Sequence, residues 1–205
     1  MDATTTDRYR VLSVDRDQSL ARLISLSEAV TAIDAPETAN EDALAPIAAA
    51  IEDLDLHAGS IVEATIEWDG DVARVVEATV ERADRIYYAE VVEGMYEAAV
   101  EAWHTAQAAG EGMHSIVTQN TDTEPNGVLY VFADGPGGRT IDAIRTGGIP
   151  IEPLIQRAET DLDDDNERAV FVLEPADHAF VAVHIVFRRD GVLARMIADT
   201  YDIDR

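Results

Sequence analysis

The chain has 205 residues, room for one large or two small domains, with 15 basic residues against 41 acidic ones and a formal net charge of −26. Every basic residue is an arginine and there is no cysteine, which excludes disulfides, thiolate nucleophiles and cysteine-ligated metals. At 47% hydrophobic the chain is too apolar for a disordered acidic segment, and acid excess without lysine is the composition of a protein that folds in molar salt.

Acidity ordinarily argues against nucleic acid, because phosphate contacts draw on Lys and Arg. At molar salt counterion release contributes little, so any RNA contact there leans on stacking and hydrogen bonds. The start, MDATTTDRYR, lacks the charged and apolar blocks of a signal peptide, and no apolar run approaches the ~20 residues of a membrane span. A cytoplasmic protein without a membrane partner is expected.

In chain order, residues 8–15 and 20–26 are apolar runs around a polar turn, a hairpin signal. Residues 27–43 read as a loop around Pro36. Asn40 then precedes EDALAPIAAAIEDL, where Leu44, Ile47, Ile51 and Leu54 have helical spacing, so a helix capped by Asn40 is expected. Residues 61–68 and 72–81 flank Asp69-Gly70, a strong hairpin signal. Two hairpins bracketing a helix suit a small barrel of the OB type over residues 1–88.

Residues 89–112 read as a connecting amphipathic helix. Val92, Met95, Tyr96, Ala99, Val100 and Trp103 form its apolar face, and Gly110 stops it. Residues 113–205 read as an α+β module. Strands are expected at 115–119 and 128–133 around an Asn126-Gly127 turn, helices from Thr140 and over 152–159, and a strand at 169–173. A last hairpin, 180–187 and 192–200, is expected to turn at Asp190-Gly191. Both faces of 180–187 are largely apolar, so this strand should be central. The fold class is α+β with mainly antiparallel sheets.

Three segments resemble one another: RDQSLARLI from residue 16, WDGDVARVV from 68 and RDGVLARMI from 189. Each sets an Asp five residues before an Arg, giving Arg22, Arg74 and Arg195. Read as strands, they put each Arg on an apolar face, where it needs a carboxylate, an edge position or a ligand. Duplication and convergence of simple turn-and-strand composition both account for the pattern.

The stretch VFADGPGGRTIDAI invites comparison with a phosphate-binding loop. Ala133 stands where the first glycine belongs, Arg139 replaces the lysine, and Pro136 removes an N–H, so a nucleotide hydrolase is excluded. Gly137, Gly138, Arg139 and Thr140 remain either an anion pocket at a helix start or a plain strand–turn–helix junction. Arg82, Arg85, Tyr87 and Tyr88 read either as a base-stacking strip or as residues that pack and cap a barrel.

His57, His104, His114, His178 and His184 have no metal-ligand spacing, and no G-x-S-x-G marks a nucleophile. His184 shares its strand face with Phe180, Ala182 and Val186, which predicts a satisfied core histidine. No catalytic residue, metal or cofactor is expected.

The stretches TTTDRYRVLSVDRD and LHAGSIVEATIEWDGDVARVVEATVERAD resemble an uncharacterised family of halophilic archaea. The resemblance implies a halophilic cytoplasmic protein and brings no substrate or catalytic residue. The function expected is therefore a non-enzymatic binding or accessory protein, associated with RNA, the ribosome or another large assembly. The alternative is an enzyme or sensor holding a phosphorylated small molecule at residues 135–140.

Overall fold

The computed structural model describes residues 3–35, 37, 42–52, 54–135, 138–160, 162 and 164–204. The chain forms two compact units, one of residues 1–85 and 144–156, the other of 86–143 and 157–205.

The first unit holds a closed, OB-like barrel of strand order β1-β2-β3-β5-β4. Its strands are β1 (Ala3–Asp15), β2 (Leu20–Ser25), β3 (Ile47–Ile51), β4 (Ile61–Asp69) and β5 (Val72–Arg82). β3 runs parallel to β5, whereas the β1–β2, β2–β3, β4–β5 and β1–β4 pairs are antiparallel. Period-two alternation sends Tyr9, Val11, Ala21, Leu23, Ala49, Ile66, Ala73 and Val75 into the interior. The β4–β5 hairpin turns at Asp69-Gly70 as its sequence predicts, with Gly70 at φ +61°.

Two local expectations in this unit are corrected. The span expected to be a loop contains α1 (Leu26–Asp34), whose N-cap Ser25 accepts from the Glu28 N–H at 3.2 Å. The signal was present as Ser25-x-x-Glu28, the spacing of a capping box. Conversely, the helix expected over 41–54 is absent and β3 occupies its centre. Pro46 cannot sit inside a helix, and the alanines after it suit either structure, so the barrel decides. The Ile51 N–H donates to the Ser19 carbonyl at 2.8 Å, and Ala49 is fully buried. The proposed cap Asn40 lies outside the described residues.

The second unit is built on a sheet of order β6-β9-β10-β8-β7. Its strands are β6 (Arg85–Val92), β7 (Met113–Gln119), β8 (Pro125–Ala133), β9 (Ala169–Pro175) and β10 (Phe180–Val186). β10 is central and buried along its whole length, as its two apolar faces predict. Two helices, α2 (Glu97–Ala109) and α5 (Val192–Thr200), cover one face through Ala99, Ala102, Trp103, Ala106, Ala194 and Ile197. Two short helices, α3 (Thr140–Thr146) and α4 (Glu152–Glu159), form where the sequence expects them, and residues 144–146 and 152–156 of them belong to the first unit. Among the described residues, no helix is long and apolar enough to cross a membrane.

Three more expectations change here. The connecting helix begins at Glu97, not 89, because residues 85–92 form β6. Gly94, at φ +66°, lies between β6 and the helix, and Val91, at φ +55°, is the second-last residue of the strand. Asn126-Gly127 lies inside β8, and the chain reverses at 120–124 instead, where Asn120 Oδ1 accepts the N–H groups of Asp122 and Glu124. Residues 192–200 are α5 and not a hairpin strand. Leu193, Ala194, Ile197 and Ala198 satisfy a helical period, and β10 is already paired on both sides by β8 and β9. The third of the three similar segments is therefore no hairpin, and the duplication loses its structural basis.

Candidate functional site

The structure brings together two of the arginines singled out by sequence. Arg22 on β2 pairs with Ala48, and Arg74 on β5 pairs with Ala50, so both flank the outward face of β3. Two interstrand spacings and a two-residue offset along β3 put their backbones about 12 Å apart. The outward positions are Leu20 and Arg22 on β2, Ala48 and Ala50 on β3, and Val72, Arg74 and Val76 on β5. None of these is a carboxylate, although the chain carries 41 of them and exposed Glu77 follows Val76 on β5.

Val72 and Val76 are 66% and 49% exposed, so the face is open as well as apolar. Arg22 is partly buried and Arg74 exposed, and neither makes an ion pair or hydrogen bond to a described residue. Acidic Glu67 and Asp69 border the face on β4, opposite Arg74 and Val72, yet form no ion pair there. A partly buried guanidinium without a partner gives up hydration without compensation. A ligand with paired oxygens would restore what Arg22 lacks.

The other candidate residues go elsewhere. Arg82 clamps Asp84 through two bonds of 2.8 and 2.7 Å. Arg85 donates to Ser60 Oγ and to the carbonyls of Ala83 and Asp84. Tyr87 stacks on Phe171 at 5.1 Å in the second unit, Tyr88 is partly buried on the same strand, and Arg195 is exposed on α5. None of these five lies with Arg22 and Arg74 on the three-strand face.

At the glycine-rich loop, Gly137 lies outside the described residues, and Arg139 is exposed. The Thr140 N–H already points to the Asp134 carboxylate at 3.3 Å. A Cβ on Gly138 would lie 3.5 Å from Asp134 Oδ2 and 3.7 Å from Glu174 Oε1. Two carboxylates thus lie close to the Gly138 side of the loop, and Coulomb repulsion would oppose a phosphate placed beside them.

Sequence reasoning missed a buried ionic cluster. Arg10 Nε donates to Glu152 at 2.6 Å and its Nη1 to Asp84 at 2.9 Å, all three side chains being at most 3% exposed. Arg10 sits in the alternating pattern of a strand flank and Glu152 looks like an ordinary first-turn acid. Only the fold joins positions so far apart in sequence.

His184 is the expected core histidine, though its partners were not foreseeable. Nδ1 lies 3.0 Å from the Tyr96 hydroxyl and Nε2 3.2 Å from that of Thr118. The ring is 1% exposed, and this burial lowers its pKa from 6.5 to about 4. Gly127 is required beside it, since a Cβ there would meet the Ile185 carbonyl at 2.7 Å, Thr118 Oγ1 at 3.0 Å and His184 Nε2 at 3.1 Å. The glycine read as a turn residue is instead the gap that admits the imidazole.

This predicts a pH effect of definite sign. Below pH 6.5 the unfolded chain takes up a proton at His184 that the folded chain refuses until about pH 4. The contribution of the neutral ring is therefore complete above 6.5 and falls progressively across that window, by about 3 kcal/mol in total. Urea denaturation at fixed high salt, from pH 7 to 4, is expected to show this loss, and His184→Gln should remove most of it. Equal slopes for the two proteins would mean His184 does not titrate as described.

No curated protein and no solved structure matches the chain. A family model does match, over residues 1–205, and the chain accordingly belongs to a family of unknown function, DUF6663.

Proposed function

We propose that the protein is a non-enzymatic binding protein whose barrel docks RNA, as an accessory factor of an RNA-containing assembly in a halophilic archaeal cytoplasm. The observation that carries this reading is the open face where β2, β3 and β5 pair, whose outward positions carry two arginines with no ion pair to a described residue and carboxylates only at its border. On a chain of charge −26, such a face is the place where a phosphodiester backbone meets least repulsion. Small Ala48 and Ala50 let a strand approach closely, while Arg22 and Arg74 can each give a phosphate two parallel hydrogen bonds. Those bonds persist at molar salt better than a diffuse field does. OB-type barrels use the face of their second and third strands for oligonucleotides, the positions that β2 and β3 hold here.

The test is fluorescence anisotropy with a mixed-sequence single-stranded RNA, in KCl that keeps the chain folded. Saturable binding is expected. Arg22→Glu with Arg74→Glu should weaken it at least about tenfold, since one charge-assisted hydrogen bond contributes about 1.5–3 kcal/mol. Arg195→Glu, on a different element, should leave it unchanged. Absence of saturable binding, or indifference to the double substitution, would overturn the reading.

A further inference from the structure

The second unit contains a cavity of about 230 Å³ between α2, α5 and the sheet, and its lining is unusual for this chain. Tyr96, Thr118, His184, Leu193, Met196 and Tyr201 are among its walls, and none of its lining residues is an acid or an arginine. In a chain with 27% charged residues, a concavity free of them excludes charged ligands, which would be desolvated there without a counter-charge.

The polar wall can be counted hydrogen by hydrogen. Tyr96 and Thr118 each bring one hydroxyl hydrogen, and the neutral imidazole between them brings one N–H. Two hydrogen bonds join the three groups, Tyr96 to Nδ1 and Thr118 to Nε2. Three hydrogens serve two bonds, so one is always left over. If Nδ1 accepts from Tyr96, the Nε2–H donates to Thr118 and the spare hydrogen is on Thr118. In the other tautomer every bond reverses, and the spare hydrogen is on Tyr96. Neither hydroxyl has another partner among the described residues. Both belong to the cavity wall.

From this we infer that the cavity binds a small, neutral, mostly apolar molecule, such as a substituted six-membered ring, through one acceptor oxygen that takes the spare hydroxyl hydrogen of the Tyr96–His184–Thr118 chain. The volume agrees, because a dry cavity of about 150 Å³ holds benzene, and the extra space fits a ring with a short substituent. Two tyrosines and a methionine among the lining residues, Tyr96, Tyr201 and Met196, suit a ring. The imidazole stays neutral at physiological pH, in keeping with an uncharged guest.

The full chain, labelled with ¹⁵N at histidine and ¹³C at methionine methyls, is titrated with acetophenone, toluene and benzoate by NMR, in KCl that keeps it folded. Acetophenone is expected to bind saturably, shifting the His184 ring nitrogens and the Met196 methyl together. Toluene, which has the ring without the acceptor, should bind about tenfold more weakly, and benzoate should not bind. Met196 is 61% exposed, so Met196→Trp should fold and obstruct the cavity, abolishing the shifts. Leu193→Trp serves if that variant fails to fold. The inference is overturned if acetophenone does not saturate or its binding survives both tryptophans. Toluene binding as tightly as acetophenone, or benzoate binding at all, overturns it equally.

Discussion

Transferred from molar KCl to dilute buffer at neutral pH, the protein is expected to lose its tertiary structure. The net charge is −26, and acids occupy most outward positions of strands such as β4, with Glu63, Glu67 and Asp69 in alternation. At about 0.1 M salt the Debye length is roughly 10 Å, so carboxylates repel across neighbouring strands; at 1 M it is about 3 Å and the repulsion is confined to contacts. Salts excluded from the surface also strengthen apolar burial.

Mild acid should partly substitute for salt, because protonated surface carboxylates reduce the same charge. Its benefit is bounded. His184 withdraws its contribution as pH falls from 6.5 toward about 4. Asp7 sets a lower limit. Burial pushes its carboxyl up, but hydrogen bonds from Ser27, Ser25 and the Arg8 N–H outweigh this and hold it below its ordinary value. The stability from Asp7 is thus present above the unfolded pKa of 3.8 and is lost as pH falls through the lower folded value. Rescue should therefore peak at about pH 5, where the most easily protonated carboxylates begin to titrate. Circular dichroism over a KCl series at pH 7 and 5 checks both parts. Equal structure with and without salt would show that the core overrides the charge.

Arg10→Met is expected to be the most damaging single substitution, costing about 3–5 kcal/mol. In the native chain Arg10 and Arg82 face Asp84 and Glu152, so two positive charges balance two negative ones. Removing Arg10 leaves Glu152, 1% exposed, without the guanidinium that holds it, and leaves Asp84 with Arg82. The desolvation already incurred then has no compensating attraction. The melting temperature at fixed high KCl should fall on the order of 10 °C for a chain of this size. Adding Glu152→Gln and Asp84→Asn should recover part of the loss, because neutral amides tolerate the same burial better. A decrease below about 1 kcal/mol for Arg10→Met would show that water reaches the cluster and solvates it.

Glu152 belongs to a segment, 144–156, that the chain contributes to the first unit long after the barrel is complete. The Arg10–Glu152 bond spans 142 positions, which is why no sequence window could reveal it.

Much of the architecture was legible locally. Charge and composition are properties of the sequence itself. The Asp69-Gly70 hairpin needs only one left-handed glycine, and the central burial of β10 follows from two apolar faces. These features depend on neighbours within a few residues, where steric and periodic constraints are strong. Segments with two compatible periods were decided by the fold. Residues 47–51 suit a helix or a strand, and the barrel takes them as the strand that bridges β2 and β5. Residues 192–200 suit both as well, and they become a helix because β10 has no free edge left to pair. The arginines follow the same division. Their presence on apolar strands was readable, but which found carboxylates and which stayed open depended on the element beside each one. Arg10 met Glu152 and Asp84, while Arg22 lies between Ser13 and Ala48, and Arg74 between Glu67 and Ala50, without an ion pair to a described residue. A charge's partner is set by distance through space, and the sequence records only distance along the chain.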